Sequence, residues 1–154
     1  MKEEYVTYPN ARTLKRIGFD ESCEYYYNPD KKLLKVKSSA LSPQTTNNSY
    51  LDEIAKGMAT APRLDQAQAW LRDCKDTIVI AEPDWDEEIQ CLSDYLTGKW
   101  YFTVWKDSNR VRCNFNPNKE CEEIWLFDTY EQALSAGIDK ALELLTIKSN
   151  GKWR

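Results

Sequence analysis

Between Asp128 and Leu145 the apolar residues Ala133, Leu134, Gly137, Ile138, Ala141, Leu142 and Leu145 fall three and four apart. That repeat lines one face of an α-helix. A strand cannot bury it on one side, because strand side chains alternate with a period of two. The chain is therefore expected to end in a long amphipathic helix that needs a surface to cover. Small residues at 133, 137 and 141 recur every four positions and let that helix lie close to a sheet. Asp128-Thr-Tyr-Glu131 has the D-x-x-E form of a variant capping box and marks the expected start. The tail SNGKWR is polar and reads as frayed.

The sheet is readable upstream. Residues 99–105, KWYFTVW, form the strongest strand pattern. Alternation sends Trp100, Phe102 and Val104 to one side and Tyr101, Thr103 and Trp105 to the other. A turn at Lys106–Asn109 leads to a second strand over 110–115, and 124–127 (IWLF) reads as a third. Residues 77–81 (TIVIA) read as a short apolar strand. Between these, Asp84-Trp-Asp-Glu87 is a second D-x-x-E start, and Trp85, Ile89, Leu92 and Leu96 predict a helix over 85–97 that Gly98 stops. Leu64, Ala67, Trp70, Leu71 and Cys74 predict a further amphipathic helix, with Pro62 at its first position.

The N-terminal part reads as a short helix over 9–18, capped by Asn10 and closed by Gly18, with Leu14 and Ile17 on one face. Tyr25–Tyr27 and Leu33–Val36 flank Asn28-Pro29-Asp30, a turn because proline presets φ, so a hairpin is expected. Residues 38–62 are rich in Ser, Thr, Asn and Pro and read as a long loop, with a helical turn within Leu51–Met58. The order is α-β-β, loop, α-β-(α)-β-β-(β)-α. Neighbouring strands in hairpins imply a mostly antiparallel sheet with helices on one face, an α+β fold. At 154 residues one domain is expected over 1–154, with a helix-hairpin subregion at 1–37, the loop at 38–62, the core at 63–148 and the tail at 149–154.

Composition excludes several functions. The chain has no histidine, which removes the Ser-His-Asp triad, the Cys-His dyad and the commonest zinc ligand. The five cysteines, at 23, 74, 91, 113 and 121, form no C-x-x-C pair, and each reads as a small buried hydrophobe. An odd cysteine count and a first segment, MKEEYVTYPN, without an apolar core argue for a reduced, cytoplasmic chain. No apolar run approaches the ~20 residues that span a bilayer. Glycines at 18, 57, 98, 137 and 151 build no phosphate loop. No catalytic residue, cofactor or metal site is expected, and the chain reads as a non-enzyme.

The net charge of −4 is unevenly spread. Residues 11–37 hold seven Lys/Arg against four Asp/Glu, whereas 51–94 hold four against eleven. The densest run is Glu82, Asp84, Asp86, Glu87 and Glu88. As an EF-hand starting at Asp84 it fails: the glycine position is Ile89 and the final glutamate position is Tyr95. As a helix start it would meet the macrodipole. The remaining reading is a protein-binding acidic patch. If helices cover one sheet face, the other aromatic set faces a partner, which nominates Tyr101 and Trp105 together with Asp84, Asp86, Glu87 and Glu88 as partner-binding residues. The leading expectation is thus a small cytoplasmic protein–protein interaction protein. One alternative is a nucleic-acid binder using Lys31, Lys32, Lys35 and Lys37 with the aromatic strand, which the acidic balance disfavours. The other is a carboxylate-metal hydrolase.

Three segments, LKRIGFDESCEYYYN (14–28), APRLDQAQAWLRDCKDTIVI (61–80) and LFDTYEQALSAGIDKALELL (126–145), carry a resemblance over about a third of the chain. They resemble short uncharacterised proteins of gut Bacteroidetes, many carried in prophages and mobile elements. The resemblance implies a bacterial or phage cytoplasmic origin and an interaction role, with a host protein as partner. The motifs it rests on are helix caps and core stripes.

Overall fold

Proline suits the first turn of a helix, where its missing N–H breaks no bond, and α1 (Tyr8–Arg16) begins around Pro9 with Thr7 in the N-cap position. In the computed structural model the described residues are 4–36, 46–47, 57–85, 96–107, 109–111 and 125–148. Their contacts divide the chain into two compact units, Met1–Ala67 and Gln68–Arg154, and the boundary falls within α2 (Leu64–Lys75). Both units combine helices with antiparallel sheet, so the fold is α+β.

In the first unit α1 closes as expected. Gly18 adopts φ +102, its N–H donates to the Lys15 carbonyl (3.2 Å), and the Phe19 N–H donates to the Leu14 carbonyl (2.9 Å). Those two bonds are a Schellman motif, with buried Leu14 and Phe19 as its apolar pair. Asn10, expected as the N-cap, instead lies inside α1 and is buried, because the N-cap is Thr7, three residues earlier. The hairpin is present as β1 (Tyr25–Tyr27) and β2 (Leu33–Lys35), with Tyr25 opposite Lys35 and Tyr27 opposite Leu33. Its turn is held by the Lys31 N–H on the Asn28 carbonyl (2.9 Å) and the Lys32 N–H on Asn28 Oδ1 (2.9 Å), with Lys31 at φ +63.

The segment 38–62, read as loop, contains a third strand. β3 (Ala59–Thr60) pairs with β1, giving the order β2-β1-β3. Buried Asn47 anchors it: Nδ2 donates to the Phe19 carbonyl (2.8 Å), and Oδ1 accepts the Thr60 N–H (3.0 Å). Of the helical turn expected within Leu51–Met58, residues 51–56 lie outside the described residues. α2 buries Leu64, Ala67, Trp70 and Leu71 as its spacing predicts. Pro62 lies outside α2; its carbonyl accepts the Val6 N–H at 3.1 Å.

In the second unit β4 (Thr77–Trp85), β5 (Leu96–Lys106) and β6 (Asn109–Val111) form an antiparallel sheet in that order. β4 runs four residues beyond the apolar TIVIA segment, and Trp85 pairs with Leu96. This corrects the helix start at Asp84-Trp-Asp-Glu87. Asp84 and Trp85 are in β4, Leu96–Gly98 are in β5, and 86–95 lie outside the described residues. Cross-strand pairing outweighs a local capping pattern here. Pro83 is tolerated for a geometric reason. The N–H and C=O of Trp100 both bond Phe127 (2.8 Å each), so they point away from β4. Pro83, opposite Trp100, therefore sits at a non-hydrogen-bonded pair and removes no ladder bond. IWLF contributes only the Trp100–Phe127 bridge among the described residues.

α3 (Tyr130–Lys148) covers the β4–β5 face that carries Val79, Phe102 and Val104, and buries Ala133, Leu134, Ile138, Ala141 and Leu142. Its cap lies one residue later than expected. The Gln132 N–H donates to Thr129 Oγ1 (3.1 Å), and Gln132 Oε1 accepts the Asp128 N–H (3.2 Å). At Gly137 helix and sheet lie close together: a Cβ there would lie 2.5 Å from Val79 Cγ1. Lys106 is buried, and its ammonium donates to the Lys75 carbonyl at the end of α2 (2.8 Å) and to Asp107 (2.8 Å). Among the described residues no helix is long and apolar enough to cross a membrane.

Candidate interaction surfaces

The two faces of β5 have different fates because α3 covers one of them. Phe102 and Val104 are buried beneath the helix, and Trp100 meets the Tyr130 ring edge-on at 5.4 Å between centroids. The opposite face is built by the β4–β5 register, which sets Ile78 against Trp105, Ile80 against Thr103 and Glu82 against Tyr101. Side chains directly opposite in an antiparallel pair share a face. Tyr101 and Trp105 thus lie on this face, both half-buried, with Ile78 40% exposed beside Trp105. Tyr101 is held in place, since its hydroxyl donates to Glu82 Oε2 at 2.6 Å. Thr103 between them is buried.

The acidic part of the expected partner site is placed only in part. Asp84 accepts a hydrogen bond from Thr97 Oγ1 (2.9 Å) across β4 and β5. It is a strand residue and does not cap a helix. Asp86, Glu87 and Glu88 lie outside the described residues. Among the described residues no group of three or more Cys, Asp, Glu or His side chains is placed to hold a metal ion. Ile78 and Ile80 were missed at the sequence level. The signal was available, since TIVIA alternates Val79 to one side and Ile78 and Ile80 to the other.

The first unit holds the basic candidates. Lys31, Lys32 and Lys35 are exposed on the hairpin; Lys37 lies outside the described residues. The Lys31 ammonium stands 5.8 Å from the centre of the Tyr8 ring. Around it are tyrosine pairs that the sequence reading did not join: Tyr8 against Tyr27 at 5.6 Å and Tyr5 against Tyr25 at 4.8 Å. Tyr27 is oriented by its hydroxyl, which donates to the Val6 carbonyl (2.8 Å), and burial pushes its pKa up.

Two cysteines are described. Cys23 is buried as expected, and burial pushes its thiol up to about 12, so it remains a protonated packing group at neutral pH. Cys74 departs from the expectation: it is exposed, in the last turn of α2, although it lies within the apolar stripe. Both are free thiols. Comparison with known protein families, with curated proteins and with solved structures gave no match.

Proposed function

We propose that the protein is a small non-enzymatic, cytoplasmic interaction protein of phage or mobile-element origin that engages a host protein through the β4–β5 face opposite α3. The observation that supports this reading is the exposed Ile78 beside half-buried Trp105, an apolar pair on the sheet face that α3 leaves uncovered. Aromatic and branched apolar side chains at such a position are the usual anchors of protein interfaces. The Tyr101–Glu82 bond holds a polar edge beside them.

The test is co-purification from a lysate of the bacterial host, treated with nuclease, using the intact chain and two variants, Ile78→Glu and Trp105→Ala. Far-UV circular dichroism establishes that the variants fold. The reading expects a protein that survives nuclease and is lost with both variants. Co-purification that both variants retain overturns it. Unfolding of Ile78→Glu would also overturn it, because an exposed site tolerates a charge.

A further inference from the structure

The first unit carries a face that combines rings with cations. Tyr25, Tyr27 and Lys35 share one side of the β1–β2 hairpin, since Tyr25 lies opposite Lys35. Their ring partners lie against that side, Tyr5 tilted at 51° to Tyr25 and Tyr8 edge-on to Tyr27 at 79°. On α1, Tyr8, Arg12 and Arg16 are spaced i, i+4 and i+8 and form one stripe. The hairpin turn meets the stripe: Lys31 is held against Tyr8. The position a Cβ would take on Gly57 is 3.7 Å from Pro29 Cβ and 3.9 Å from Arg12 Nη1, so the guanidinium is within 7.6 Å of the turn's proline. Arg12, Arg16, Lys31 and Lys32 are all exposed. Among the described residues none of the four is within ion-pair distance of a carboxylate. Charge also separates by unit. Residues 1–67 hold ten Lys/Arg against nine Asp/Glu, net +1, while 68–154 hold eleven against sixteen, net −5.

We propose that this face binds single-stranded nucleic acid, with Arg12, Arg16, Lys31 and Lys32 on phosphates and the Tyr8 and Tyr27 rings stacking on bases. Unpaired strands offer both features at once, an anion at each step and a flat ring beside it. A duplex hides its ring faces, and an acidic peptide uses only the cations. Lys31 stands near the outer limit for a cation over a ring. A stacking base can displace it, and its ammonium is then free for a neighbouring phosphate. The charge difference between the units steers a polyanion toward the first and away from the second.

Fluorescence anisotropy of the full chain with fluorescein-labelled oligothymidylate and oligouridylate, each about 15 nucleotides long, tests this across a salt series. Four phosphates on a single strand predict that log K falls with log salt at a slope near −3. Arg12→Glu with Lys31→Glu should weaken binding at least tenfold and flatten the slope, and Arg16→Glu with Lys32→Glu should do the same independently. Tyr8→Ala should lower affinity about tenfold and leave the slope unchanged. Lys140→Glu, on α3, should leave binding intact. The proposal fails if neither probe binds at low salt, or if both charge-reversal pairs fold and bind as well as the parent. It also fails if heparin is bound equally well and Tyr8→Ala is silent, for then the face recognises charge alone.

Discussion

Gly137→Ala reads out how closely α3 lies on its sheet, because two effects oppose each other there. Alanine in place of a mid-helix glycine favours the helix by about 1 kcal/mol. The added methyl, however, would lie 2.5 Å from Val79 Cγ1 and 3.1 Å from Phe102 Cβ. Non-bonded carbons settle at about 3.5–4.0 Å, so something has to move by roughly 1 Å. Val79 is β-branched with few χ1 choices, and both Val79 and Phe102 are buried in paired strands. Overpacking of this kind costs about 1–3 kcal/mol. The expected net is a loss of about 1 kcal/mol. Val79→Ala removes the obstructing Cγ1, and in that background Gly137→Ala should recover most of the helix gain. A double-mutant cycle should therefore give a coupling of about 2 kcal/mol. Urea unfolding of the four proteins, followed at a helix wavelength, measures it. Stabilisation by about 1 kcal/mol in both backgrounds, with no coupling, would refute the close approach of helix and sheet.

Three further outcomes are expected. Native protein at pH 8 should alkylate rapidly at exposed Cys74 and slowly at Cys23, with urea abolishing the difference; peptide mass spectrometry gives the rates. Burial raises the folded Cys23 pKa to about 12, so its contribution is complete below the unfolded thiol's value and is lost as pH rises toward 12. Stability of Cys23→Ala should accordingly depend less on pH across that alkaline window. Asp139 is held above the ordinary carboxylate range by partial burial and then by Glu143 one turn on, so its contribution to stability falls as pH rises through its folded pKa. Asp139→Asn should raise stability at pH 7 by about 0.2–0.5 kcal/mol and by less in acid, as pH-dependent thermal melts would show. Lys106→Met should cost about 1.5–3 kcal/mol in urea unfolding, since it strips a charged donor from the Lys75 carbonyl at the end of α2. An unchanged midpoint would mean that Thr77 Oγ1, 2.9 Å from the same carbonyl, satisfies it alone.

The candidate surfaces were legible in unequal measure. Alternation in KWYFTVW separates the Phe102 face from the Tyr101–Trp105 face, and the structure keeps that division. What alternation cannot supply is register. The exposed Ile78 joins Trp105 only because β4 and β5 pair at that offset. The tyrosine–cation face was less visible still. Tyr8 and Arg12 are a helical turn apart, but Tyr8 and Tyr27 are nineteen residues apart and meet only through packing.

By itself the sequence determined the elements whose signal is local and long enough to repeat. These are the α3 stripe, the α2 face, the β5 alternation, the hairpin around Asn28-Pro29-Asp30, and the glycine that closes α1. Tertiary structure decided what local patterns leave degenerate. Two residues, Ala59 and Thr60, are too few for any periodicity, and they become a strand because β1 offers an open edge and Asn47 bonds both Thr60 and Phe19. Asp84-Trp-Asp-Glu87 carries a helix-start pattern whose first two residues nonetheless lie in β4, with Trp85 paired to Leu96. A capping pattern contributes only about 1 kcal/mol, and the continuing antiparallel ladder outweighs it.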